Sequence, residues 1–285
     1  MDYPFYVNNF DRVSDHRITY PSVATIFEQP MAFWYGERNG KPMDKIDKSL
    51  ARLFRRAEGT LPIFVIYNMP NRDMGHYSKG GADSKETYLD FITAFAKGIG
   101  DRSPIVVFEP DALPHSTHME LVDAMSRWHL MSRALTVLTE NCNALVYVDI
   151  GHSNWLDPET AGKTLERVTN NKVRGFSVNV SNFRTTEESL AWAEQVAEYT
   201  RNKHFVIDTS RNGNGPYGNE WCNPPGRALG IKPTTNTGHP LCDAYLWIKV
   251  PGESDGRKNN GPRAGRFWPS YAEELVANTP SLVQA

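Results

Sequence analysis

Five aspartates, Asp73, Asp111, Asp149, Asp208 and Asp255, follow short apolar runs, and this repeated placement is the most chemically suggestive feature of the chain. Apolar runs too short for a helix read as strands buried on both faces, so the carboxylates gather where strands end. Carboxylates crowded into one cleft push one another's pKa up, which supplies a group that still holds its proton near neutral pH and can act as a general acid. Asp111 is the leading candidate, because it closes the run Pro-Ile-Val-Val-Phe-Glu-Pro-Asp at residues 104 to 111, where Pro110 forbids regular continuation of the strand. Any one of the five could equally be a helix cap or a turn residue. Five at one rim argue for a reactive cleft.

Trp34, Trp155, Trp221 and Trp247 lie at or beside the same strand ends. A flat apolar face with a polar edge suits the CH-rich faces of sugar rings, although large aromatics are more often core. His115 and His118, three residues apart, could present two imidazoles to a metal, with His76 and His152 as further candidates. The pair sits just after Pro114 near a helix start, where surface or capping histidines are ordinary, so neither a metal nor another cofactor is expected. No nucleophile elbow, Walker loop or dinucleotide glycine pattern follows any strand.

The elements that must position these residues alternate along the chain. Strands are expected at 31–35, 61–67, 104–109, 144–148, 173–180, 204–207 and 244–250, with helices at 43–57, 84–98, 117–140, 186–200 and 270–277. The polar, glycine-rich stretch from Asn68 to Gly81 reads as a mobile loop over the strand ends, and the Gly-, Pro- and Asn-rich stretch 211–240 as an ordered functional loop. Helix-alternating strands with acidic ends predict an α/β fold, a TIM-like parallel (β/α) barrel. At 285 residues and 40% hydrophobic composition, one domain spanning residues 1–285 is expected.

A formal charge of −2 without Lys/Arg-rich runs removes the footprint of a nucleic-acid or anionic-membrane binder. No apolar run approaches a membrane span, and the start lacks the layout of a signal peptide. Cys142, Cys222 and Cys242, odd in number and widely spaced, indicate free thiols. A monomer is expected.

Six ordered stretches resemble the motifs of glycoside hydrolase family 6, the inverting cellulases: Tyr67 to Asp73, Val107 to Asp111, Asp149 to Trp155, Ile207 to Gly213, Asn219 to Cys222, and Leu246 to Gly256. The resemblance covers about residues 4 to 277. It implies a distorted TIM-like barrel that cleaves β-1,4-glucan with inversion. By motif position, Asp111 resembles the general acid, Asp73 the second aspartate of a proton relay, Asp255 the proposed base, and Tyr67 the tyrosine that crowds the distorted sugar. Trp34, Trp155, Trp247, Lys249 and Glu253 resemble sugar-binding residues; His152, Asn182, Trp221, Ser78 and Lys79 are further contact candidates, and Arg72 and Asp149 supporting ones. Inversion requires the two carboxyl groups to stand about 6.5 to 9.5 Å apart so that a water fits beyond the sugar.

The chain departs from the family pattern at three places. Met74 and Met119 stand where members often have one disulfide, and Arg257 stands where a partner for Cys222 would be. Secretion is therefore implied by resemblance alone. The serine usual six residues after the loop aspartate is Lys79, with Ser78 one place early. An endoglucanase is expected from the absence of long insertions after 220 or near 257. A cellobiohydrolase, an enzyme of another β-glucan such as a mixed-linkage one, or a non-catalytic glucan-binding barrel are the alternatives.

Overall fold

The computed structural model describes residues 4–8, 19–36, 45–72 and 77–279. Its strands are β1 (Phe33–Tyr35), β2 (Ile63–Ile66), β3 (Ile105–Phe108), β4 (Leu145–Asp149), β5 (Gly175–Val178), β6 (His204–Asp208) and β7 (Cys242–Leu246). They pair in sequence order, every neighbour parallel, with one register irregularity between Phe205 and Val206. Parallel neighbours need long crossovers. Helix α1 (Ala24–Phe27) precedes β1, the crossovers carry α2 (Ile46–Arg56), α3 (Lys85–Ile99), α4 (Ala112–Ser116), α5 (Leu121–Asn141), α6 (Pro158–Val168) and α7 (Thr186–Glu198), and α8 (Pro269–Ala277) follows β7. The sheet curls until its edges meet: the Ala32 N–H, just before β1, donates to the Trp247 carbonyl, just after β7, at 3.1 Å. The result is the distorted barrel expected from the sequence.

Alternation within each strand divides the core. Phe64, Ile66, Val106, Phe108, Val146 and Val148 pack outward against the helices, whereas Ile63, Val65, Ile105, Val107, Tyr147 and Leu246 fill the barrel. Both faces are buried, so the runs look continuously apolar. At the amino end of the barrel, Arg174 donates to both Asp243 oxygens at 2.8 and 2.9 Å, and Tyr147 Oη donates to Asp243 at 2.6 Å. This polar plug lies at the end away from the loops that follow the strands, where a barrel invests in stability.

Two helix expectations need revision. The helix expected at 117–140 is α5, which starts only at Leu121 because Glu120 at ψ 143° is its cap, and the short α4 ahead of it was not anticipated. The helix α6 was not anticipated, although Asp157 caps it through Thr160 N–H and Pro158 occupies its first turn. The strands expected at 173–180 and 244–250 are shorter, since both end where the chain turns into the cleft. Residues 43 and 44 of the expected helix lie outside the described residues, as does Asp73.

Candidate active site

The loops leaving the carboxyl ends of β2, β3 and β5 are held in unusual backbone conformations. Asn71, Glu109, Asp111, Asn179 and Ser181 all have positive φ, between 50° and 70°. Non-glycine residues adopt this region at a cost that the surrounding structure must offset, and such residues collect at functional sites.

Asp111 occupies the residue before α4, yet its carboxylate makes no capping hydrogen bond. Instead its Oδ2 lies 3.5 Å from Tyr67 Oη, and its own N–H donates to Asp149 Oδ2 at 2.8 Å. The capping alternative therefore does not account for it. Asp149 is buried, and burial, followed by the negative charge of Asp111, drives its pKa well above the usual carboxylate range. Glu109 is also buried and accepts amide hydrogen bonds from Asn68 (3.0 and 3.1 Å) and Met69 (2.9 Å), tying the β2 loop to the end of β3. Burial raises its pKa to about 7 against the pull of those amides. Burial, more than the crowding of carboxylates, is thus what keeps protons on this wall.

The opposite chemistry holds on the β6–β7 side. Asp255 Oδ2 accepts from Arg211 Nη1 at 2.8 Å and from Asn223 N–H at 3.0 Å, and Lys249 Nζ stands 3.5 Å from Oδ1. Burial alone would raise its pKa, but Arg211 and then Lys249 outweigh burial and hold it below the ordinary value. Arg211 itself is completely buried, lies over the Phe183 ring, and donates to the Ser181 carbonyl at 2.6 Å. Asp208, raised by burial, accepts four amides, those of Ser181, Ser210, Ile248 and Lys249. Asp208 is a backbone organiser: it pins three loops at once.

Between the walls runs a cleft of about 1430 Å³. It is lined by Trp34, Tyr67, Arg72, Ser78, Lys79, Asp111, His152, Trp155, Asn182, Trp221, Lys249, Glu253 and Asp255. The Trp34 indole donates to the Ile248 carbonyl at 2.9 Å and meets the Tyr67 ring edge-on. Trp155 packs edge-on against His115 and beside His152. Burial, then Arg184, lowers the His152 pKa to about 4, so this imidazole is neutral at any pH above that. Arg72 lies over the Tyr67 ring and donates to the Tyr67 and Ser78 carbonyls, which fixes Ser78 at the cleft wall. Lys79 next to it is exposed.

Trp247 is a correction. It is 2% exposed, donates to the Ile231 carbonyl, and packs with Tyr271, Ala272 and Leu275 behind the barrel, so it is core and offers no face to a sugar. Asp149, expected as a supporting residue, accepts the Asp111 N–H and is not among the residues lining the cleft. Arg211 and Asn223 were not singled out from the sequence. Arg211 does follow a strand-end aspartate closely, but its partner lies 44 residues away. All three cysteines are free. Among the described residues no group of three His, Cys, Asp or Glu side chains could hold a metal, and no helix is long and apolar enough to cross a membrane.

Comparison with known proteins gives the same region a lineage. The model of the glycosyl hydrolases family 6 matches residues 8–279. An "Endoglucanase 1" from Streptomyces sp. (strain KSM-9) is 41% identical over 272 residues, covering 92% of this chain and 73% of that protein. "Endoglucanase A" from Cellulomonas fimi is 42% identical over 87% of this chain, which spans only 54% of that protein's length. Among solved structures, the endoglucanase Cel6 from Mycobacterium tuberculosis, in complex with a methyl-cellobiosyl-thio-cellobioside, superimposes with a TM-score of 0.92 at 38% identity and covers 97% of each chain.

Proposed function

The chain belongs to the glycosyl hydrolases family 6 and is a glycoside hydrolase of the endoglucanase type, and from that premise we propose that it hydrolyses internal β-1,4-glucosidic bonds of cellulose or a related β-glucan with inversion of configuration. The observation that carries the mechanism is the asymmetry of the cleft: Asp111 stands on a wall where burial keeps protons on neighbouring carboxyls, while Asp255 stands on a wall where cations keep it charged.

In this reading Asp111 gives its proton to the glycosidic oxygen as the bond to the anomeric carbon breaks. A water attacks that carbon from the other face, so the new reducing end is α-configured. The proton leaving the water passes toward Asp255 and Asp73. Asp255, anchored by Arg211 and Lys249, also supplies fixed negative charge to the oxocarbenium-like sugar. Tyr67, braced by Arg72 and Trp34, crowds the sugar toward the transition-state shape. Ser78, with its backbone fixed by Arg72, is the hydroxyl that holds the attacking water, and Lys79 beside it is an exposed cation on the cleft lining. Trp34, Trp155 and Trp221 offer faces to neighbouring glucosyl units, and His152, Asn182, Lys249 and Glu253 offer polar contacts. The chain has no long insertion after 220 or near 257, which favours an open cleft that a long glucan enters sideways.

Proton NMR of cellohexaose during hydrolysis tests this directly. The expected result is initial α-anomer from the parent and a fall in kcat of about 10²- to 10⁴-fold in Asp111→Ala, the range for a lost general acid. Initial β-anomer would overturn inversion, and full turnover by the variant would overturn Asp111 as the acid.

A further inference from the structure

Two large aromatics stand unusually exposed on the same cleft: Tyr77 at 47% and Trp221 at 45%. They come from different loops, those after β2 and β6, and their ring centroids are 6.0 Å apart at 53°. Tyr77 has a dedicated seat on a third loop. A Cβ on Gly256 would lie 2.5, 2.8 and 2.9 Å from Tyr77 ring carbons, distances that real Cβ contacts essentially never show. The ring therefore rests against bare backbone directly after Asp255, and only glycine permits that approach. Burying such a ring fully would be favourable, and holding two of them open to solvent at a cleft leaves apolar faces awaiting a ligand.

We propose that Tyr77 is a substrate-binding residue of this chain, forming with Trp221, against whose ring it packs, an open two-ring clasp whose free faces hold one glucosyl unit of the glucan away from the bond being cut. The proposal rests on the β-glucan reading of the cleft. The ring supplies the contact, since its face is what a sugar's CH groups meet. Because the contact is equally available before and in the transition state, it acts on KM and leaves kcat close to the parent. The seat on Gly256 couples the clasp to the loop that carries Asp255.

The test compares the parent with Tyr77→Ala, Tyr77→Phe, Trp221→Ala and the Tyr77→Ala/Trp221→Ala double variant, with initial rates on cellopentaose and cellohexaose and binding of the same sugars by calorimetry. Tyr77→Ala is expected to raise KM and Kd about 3- to 10-fold, the range that an aromatic contact of this kind supports. Tyr77→Phe, which keeps the ring, restores the parent KM. In the Trp221→Ala background the Tyr77→Ala effect shrinks, because half a clasp is already gone. Unchanged KM and Kd in Tyr77→Ala, or a Tyr77→Phe variant as impaired as Tyr77→Ala, overturns the clasp while leaving the glucanase reading intact. A parent that binds but does not cut fails the glucanase reading, and the Kd shift alone then decides the clasp. A parent that neither binds nor cuts overturns both.

Discussion

The two walls of the cleft carry carboxylates in opposite states, and the cause of the difference is local. On the β3–β4 wall, Asp149 and Glu109 are buried among amides and form no salt bridge among the described residues, and their pKa values rise, burial outweighing the amides and the charge of Arg72 at Glu109. On the β6–β7 wall, Asp255 is equally buried but meets the guanidinium of Arg211 and the ammonium of Lys249, and its pKa falls. One barrel rim thus keeps protons on one side and negative charge on the other, which is the division of labour an acid-catalysed displacement by water requires. Burial alone does not decide the charge of a carboxylate; the partner it is buried with does.

The largest effect should come from breaking the charged wall. Asp255→Asn leaves Arg211, which is 0% exposed, without its counter-ion. Removing one partner of a buried pair costs about 3–5 kcal/mol. Urea unfolding should show that loss together with the fall in turnover, whereas Asp111→Asn should lose turnover with its unfolding midpoint almost unmoved. Equal midpoints for Asp255→Asn and the parent would sink the idea that Arg211 depends on this carboxylate.

The protonated wall can be sharpened through pH. Glu109 titrates in the folded protein at about 7, against 4.5 for an ordinary glutamate. Between those values the folded state holds a proton that the unfolded chain has released. Folding stability should therefore fall as pH rises from about 4.5 to 7 and level off above, by on the order of 3 kcal/mol from this group. Glu109→Gln cannot ionise, so its unfolding free energy should gain on the parent across the same window. Thermal melts at pH 4.5, 6 and 8 measure it, and a difference that stays flat with pH would mean Glu109 is ionised throughout.

What could be read from the sequence follows from the range of each signal. Strands were legible because β-branched runs such as Ile63–Ile66 and Ile105–Phe108 are local and continuous. The strand-end placement of Asp111 and Asp255 was legible for the same reason. Trp247 was misread, although parity gave a warning: Ala244, Leu246 and Ile248 fill the barrel, so the residues between them point away from it. The states of the carboxylates were not legible. The Arg211–Asp255 pair joins residues 44 apart and the Asp111–Asp149 contact residues 38 apart, and nothing local announces either.

The smallest expected effect concerns what holds the Asp255 loop in place. Cys222 has no disulfide partner, and polar contacts join its segment to residues 254–259. Asn223 Nδ2 donates to the Gly256 carbonyl at 2.7 Å and to that of Lys258 at 3.0 Å, while Asn259 Nδ2 donates to the Cys222 carbonyl at 2.9 Å. Asn223 Oδ1 accepts from the Asp255 N–H at 2.7 Å, so the same side chain orients the charged wall directly. Lys258 and Glu220 pair at the surface above it. None of these contacts is redox-sensitive. Melting temperature and turnover should therefore be the same with and without dithiothreitol, while Asn223→Ala should lower both. A reductant-dependent fall in melting temperature would mean that a covalent bond, rather than this hydrogen-bonded knot, secures the wall that keeps its charge.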